Sequence, residues 1–144
     1  MSERRVAPSR LLLEITETAA VGDVRDAQDF IQRVHAVGCK VSLDDFGAGF
    51  ANFSYIKHMP VDVVKIDGIF VRGLAQSHEN QLFVKAIVDI AHGFGKVTVA
   101  ESVEDEAALA ILASYGVDMV QGFGLERPQA IRERAASTLR QKGA

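Results

Sequence analysis

The sequence predicts an α/β fold built on a parallel, barrel-type sheet, and three observations carry that prediction. Short β-favouring runs alternate with helical patterns, an order that pairs strands in parallel. The runs are nearly continuous in hydrophobicity, as strands covered on both faces are. Each run also ends in polar or charged residues: Glu14, Asp44 with Asp45, Lys65, Glu101 and Gln121. Polar residues gathered at the carboxyl ends of successive strands are the layout of a (β/α) barrel active site.

Residues 1–10, MSERRVAPSR, read as an N-terminal tail, and the globular domain is expected over 11–141. The first β-favouring run is LLLEIT (11–16). From Val24 to Val37 the apolar residues Val24, Ala27, Phe30, Ile31, Val34 and Val37 recur at three- and four-residue steps, with Asp23 placed to cap this helix and Gly38 to end it. The second run, KVSLDD (40–45), leads into a glycine- and aromatic-rich stretch, 47–60, expected to be a long loop with one helical turn. VDVVKID (61–67) is the third run. A helix follows over 79–92, its apolar face drawn from Leu82, Phe83, Ala86, Ile87, Ile90 and Ala91. VTVAE (97–101), a helix from about Glu104 to Tyr115 capped by Asp105, VDMVQG (117–122) and a basic amphipathic helix over 129–141 complete the order.

Composition bounds the function. The chain has 144 residues, 48% of them hydrophobic, enough for one domain with a sizeable core. A formal net charge of −3 gives no general affinity for a nucleic-acid polymer. The single cysteine, Cys39, excludes a disulfide framework and reads as a small buried hydrophobe. No apolar run reaches membrane-spanning length and the N-terminus lacks the apolar core of a signal peptide, so the expected compartment is the cytoplasm.

The pair Asp44-Asp45 poses the chemical question, because adjacent anions repel. Side-chain alternation puts Val63 with Lys65, Val97 and Val99 with Glu101, and Met119 with Gln121. Two aspartates joined by Glu14, Glu101 and Glu104 form a set of hard oxygen donors, which select Mg²⁺, Mn²⁺ or Ca²⁺ over softer metals. Lys65 among them stays charged and can orient a phosphate or a water. Such a site suits metal-assisted hydrolysis of a phosphoester. Gly47 and Gly49 let the loop backbone approach a ligand closely. His35, His58, His78 and His92 are scattered without ligand-like spacing, and the aromatics of 46–55 are assigned to packing the loop before stacking on a base.

LEITET (13–18), LDDFGAGF (43–50), VVKID (63–67), AESVE (100–104) and QGFGLERP (121–128) resemble, in order and spacing, the successive motifs of EAL domains. That resemblance implies about five parallel β/α units of a partial, TIM-like EAL barrel, and an activity: opening cyclic di-GMP to linear pGpG with Mg²⁺ or Mn²⁺. It implies Glu14, Asp44 and Asp45 as metal ligands, and Lys65 and Glu101 as the catalytic pair. Glu104 and Gln121 would complete the shell through water or substrate. Glu17 would anchor the loop after Asp45, which in the family couples metal binding to dimerisation.

Two departures stand out. Ser102 occupies a position where the family usually has glycine. The Glu-Ala-Leu tripeptide that names the family does not occur in the sequence, nor does the asparagine that follows it there. The resemblance therefore covers the C-terminal portion of an EAL domain. Three function classes follow: an EAL-type phosphodiesterase with impaired turnover, an inactive module that binds cyclic di-GMP or a protein, and a fragment whose function is that of a longer parent. Five units cannot close an eight-stranded barrel, so a homo-oligomer or domain-swapped dimer is expected.

Overall fold

The computed structural model describes residues 6–49 and 53–125. It contains one five-stranded sheet in the order β1-β2-β3-β4-β5, with every neighbouring pair parallel. The strands are β1 (Leu12–Thr16), β2 (Lys40–Phe46), β3 (Val63–Ile66), β4 (Val97–Ala100) and β5 (Met119–Val120). The helices are α1 (Glu17–Gly22), α2 (Val24–Val37), α3 (Gly68–Val71), α4 (His78–Gly93) and α5 (Glu106–Ser114). Sequential strands lie side by side, as the alternating β/α pattern requires.

Local signals account for the helix ends. Asp23 accepts the Asp26 N–H at 3.0 Å to start α2, and Gly38 ends it in the left-handed conformation (φ 92°), which a side chain would strain. Asp105 accepts the Ala108 N–H at 2.7 Å at the start of α5. Ser77, beyond the expected boundary of α4, accepts the Asn80 N–H at 3.2 Å. The short helices α1 and α3, which no periodic pattern announced, start from Thr16 and Asp67 caps of the same kind. The loop after Gly49 re-enters the described residues as a 3-10 helix, Phe53–Lys57, in the place of the expected helical turn.

Packing departs from the sequence pattern on two faces. In α4 the buried residues are Val84, Ile87, Val88 and Ala91, while Leu82 and Phe83 are exposed. The apolar residues of this helix cover a wide arc, so periodicity alone does not select the stripe that meets the sheet. In α2 only Ile31 is fully buried; Phe30 and Val37 stay exposed. Phe30 instead lines an apolar groove of about 420 Å³ with Ile15, Ala19, Ala20 and Ala27, beside edge strand β1. Cys39 is half-buried, not fully enclosed as its composition suggested. The expected helix over 129–141 lies outside the described residues.

The core sits between sheet and helices, around Val41, Leu43, Phe46, Val64, Ile66 and Ala100. The opposite face is open. Leu12, Val97 and Met119 share the face of the strand-end polar residues, and they are 44%, 38% and 48% exposed. Strands β1 and β5 are the sheet's two edges. Among the described residues no helix is long and apolar enough to cross a membrane.

Candidate active site

Lys65 stands at the centre of the strand ends. Its side chain is 8% exposed, and Nζ lies 2.6 Å from Glu101 Oε1, 2.9 Å from Asp44 Oδ1 and 3.0 Å from Glu14 Oε1. Three strands and the residue after a fourth thus deliver one cation and three carboxylates to one point: β1 carries Glu14, β2 Asp44, β3 Lys65, and β4 leads into Glu101. Burial alone would pull the Lys65 ammonium toward neutrality. Its pairing with the carboxylates of Glu101, Asp44 and Glu14 more than offsets this and holds the group above the ordinary lysine range.

The adjacent aspartates reach one site because the strand breaks its own alternation. The β2–β3 register shifts between Leu43 and Phe46, a bulge that re-aims side chains. Asp45 takes a left-handed backbone (φ 56°), which aspartate tolerates better than most residues. Both carboxylates therefore join Glu101: one oxygen from each of Asp44, Asp45 and Glu101 lies within 4.8 Å of the others. Desolvation raises the Asp45 pKa, and Asp44 and Asp67 raise it further, against a smaller opposing pull from Lys65. Asp44 Oδ1 is buried; Lys65 Nζ is its charge partner at 2.9 Å, and it receives no hydrogen bond of good geometry from the described residues. An all-oxygen trio with an unserved buried oxygen fits a hard divalent cation.

The remaining expected residues separate into two groups. Gln121 joins the site, donating from Nε2 to Glu101 Oε1 at 2.9 Å. Glu104 does not: its side chain is 62% exposed and its nearest cationic partner is Arg72, at 4.0 Å. Glu17 sits apart from the trio, 2% exposed. Its Oε2 accepts the Gly47 N–H at 3.0 Å and its Oε1 accepts the Tyr55 hydroxyl. Both sides of the loop that follows Asp45 are thus tied to one buried carboxylate. Tyr55 also meets the Phe46 ring edge-on at 6.1 Å, the packing role expected of the loop aromatics. Gly47 answers to packing as well: a Cβ there would lie 3.0 Å from Phe70 and 3.1 Å from Ile87. Asp67 and Arg72 escaped the sequence reading. Asp67 was visible as the last residue of VVKID, whereas nothing in the local pattern marks Arg72.

Comparison with known proteins decides the family. The profile described as EAL domain matches residues 1–128. The chain belongs to the EAL domain family. Cyclic di-GMP phosphodiesterase PdeB of Shewanella oneidensis is 39% identical over 118 residues, covering 82% of this chain and 14% of that protein. The solved structure described as PaMucR phosphodiesterase in complex with c-di-GMP superposes with a TM-score of 0.84 at 35% identity, over 89% of this chain and 52% of that one. A manganese and cyclic di-GMP complex of Klebsiella pneumoniae BlrP1 superposes with a TM-score of 0.76 at 30% identity, over 82% of this chain and 30% of that one. This EAL chain thus spans about half the length of the first of these structures and a smaller share of the others. Its five parallel strands form part of the TIM-like barrel that EAL domains adopt.

Proposed function

We propose that this chain carries the lysine-bearing portion of an EAL-type active site, for metal-dependent hydrolysis of cyclic di-GMP to pGpG, and that on its own it turns over slowly or not at all. The observation that carries the reading is Lys65, buried within 3.0 Å of three carboxylates, beside the Asp44, Asp45 and Glu101 trio. Four carboxylates around one ammonium leave this rim with excess negative charge, which an anionic phosphodiester tolerates only when cations are present.

Asp44 and Asp45, with Glu14 or Glu101, would hold Mg²⁺ or Mn²⁺. When bound, such ions supply charge stabilisation for the phosphoryl oxygens and acidify water. Lys65, fixed as an ammonium, orients a phosphate oxygen or the attacking water. Glu101, held by Lys65 and Gln121, is placed to take a proton from that water. Glu104 stands outside this set beside Arg72 and would reach substrate only through water, and Glu17 keeps the loop after Asp45 in register with the trio. Impaired turnover follows from the open geometry. Glu14 lies on an edge strand with its side chain 49% exposed, and loose ligands forfeit both metal affinity and orientation.

The exposed face of the sheet and the groove beside β1 support association through these edges, as a homo-oligomer or domain-swapped dimer. We place the domain, spanning residues 11–141, in the cytoplasm. The second reading is a module that binds cyclic di-GMP or a protein without turnover, favoured by the same exposure of Glu14. Release of pGpG with Mn²⁺ separates the two. The expected result is background activity from the 144-residue chain, restored by adding the N-terminal portion of a relative's EAL domain and lost again in Glu101→Gln. Family-like turnover by the chain alone would contradict the impaired reading; binding without turnover in the reconstituted mixture would favour the module.

A further inference from the structure

Ser102 is one of two non-glycine residues with positive φ among the described residues, at 56°; the other is Asp45. A serine in the left-handed region is strained, and such an outlier persists where its surroundings over-determine it. The surroundings do so here. The Glu101 N–H donates to the Ile66 carbonyl at 3.3 Å, and the Val103 N–H to the Gln121 carbonyl at 3.1 Å. Ser102 lies between these two pins. Its hydroxyl accepts a hydrogen bond from Arg72 Nη2 at 3.1 Å. Arg72 itself is fixed at the end of α3, its N–H donating to the Gly68 carbonyl at 2.9 Å.

Gly68 completes the arrangement. A Cβ at this position would lie 2.3 Å from Ser102 Oγ and 2.7 Å from Ser102 Cβ. The serine side chain is therefore seated on the bare backbone of Gly68 at the start of α3. That helix begins three residues after Lys65, so the short junction from β3 to α3 links the cation of the site to the seat of the residue next to Glu101.

We propose that Ser102 is a positioning residue for Glu101. Its side chain is seated on Gly68 and held by Arg72, and it fixes the 101–104 segment so that the Glu101 carboxylate meets Lys65 and Gln121. This rests on the proposed reading of the rim as a cation site, but the geometric claim can be measured without metal. Ser102→Ala keeps the Cβ and the backbone strain while removing the acceptor. Arg72→Ala removes the donor, whose side chain is 59% exposed, and leaves the core untouched.

The metal-free readout is the side-chain amide of Gln121 in ¹⁵N-correlated NMR, because that group donates to Glu101. Both variants are expected to shift it, the double variant no further than either single one. Mn²⁺ affinity by calorimetry is expected to fall roughly tenfold in each, again without further loss in the double variant. An unmoved Gln121 amide in either variant, or additive losses in the pair, would overturn the proposal. Absence of Mn²⁺ binding by the unmodified chain would instead overturn the cation-site reading, and the Gln121 amide would still decide the role of Ser102.

Discussion

The two ends of the sheet treat their carboxylates in opposite ways. At the amino-terminal end, Asp62 Oδ2 accepts the Val41 N–H at 2.8 Å and meets His35 Nε2 at 2.8 Å. Two strands on, Asp118 Oδ2 accepts the Thr98 N–H at 2.7 Å and the Thr98 hydroxyl at 2.8 Å, and meets His92 Nε2 at 2.8 Å. The same device thus ties a helix end to the start of a strand in two separate units. Beside it, buried Lys96 donates to the carbonyls of Met59 at 2.7 Å and Val61 at 3.0 Å. At the carboxyl-terminal end, the Asp45 pKa is raised, and Asp44 Oδ1 has a charge contact with Lys65 but no hydrogen bond of good geometry. One rim is satisfied and serves stability; the other is left short of positive charge. That division is the one expected of barrel folds, whose chemistry sits at the carboxyl ends of the strands.

The contrast is broken most severely at the satisfied rim. Asp118→Ala leaves the N–H and hydroxyl of buried Thr98 without their acceptor, and Asp62→Ala does the same to the N–H of buried Val41. Each is expected to lower the unfolding free energy by about 2 kcal/mol, read from urea denaturation.

Acid should act next, and on the same rim. Burial raises the pKa of Asp62 and Asp118, but backbone N–H donors and the facing histidines outweigh it and hold both below the ordinary value of 3.8. A depressed folded pKa gives stability that is complete above that value and is lost as pH falls through the folded one. Thermal midpoints should drop as pH falls below about 4, and this slope should shrink in Asp62→Asn and Asp118→Asn. Asp45, raised, has the opposite sign: it favours the fold at low pH and loses that contribution as it ionises.

A smaller effect is expected where the site meets its loop. Tyr55→Phe removes the hydroxyl donated to buried Glu17 and should cost about 1.5 kcal/mol in the same denaturation assay. The smallest change should also reverse sign. Asp45→Asn removes a carboxylate crowded by Asp44 and Asp67, so in metal-free buffer its thermal midpoint should rise slightly above that of the unmodified chain, while Asp62→Asn falls below it.

Much of this was legible in the sequence, for identifiable reasons. The span of α2 follows from Asp23, Gly38 and the three- and four-residue spacing between them. The strand-end residues follow from period-two alternation, and Lys65, Glu101 and Gln121 do converge. Less could be read where two solutions share one pattern. The buried stripe of α4 is set by the sheet it meets, since Leu82 and Phe83 are as apolar as Val84 and Val88. The shared direction of Asp44 and Asp45 depends on a bulge and a left-handed residue, which no periodicity encodes. Glu104 matched its motif, yet it turns toward Arg72, an exposed side chain whose position depends on α3. The two Asp–His ties were hidden because their partners lie 26 and 27 residues apart.

The central claim is that the carboxyl-terminal rim is short of positive charge because it is built for divalent cations. Thermal unfolding of the unmodified chain, Asp44→Asn and Asp62→Asn, each with and without Mn²⁺ at constant ionic strength, tests it most directly. Binding to the folded state alone stabilises by about 2.7 kcal/mol at a hundredfold excess over the dissociation constant. The account predicts that Mn²⁺ raises the midpoint of the unmodified chain and of Asp62→Asn by the same amount and leaves that of Asp44→Asn unchanged. An equal rise in Asp44→Asn, or none in the unmodified chain, would contradict it.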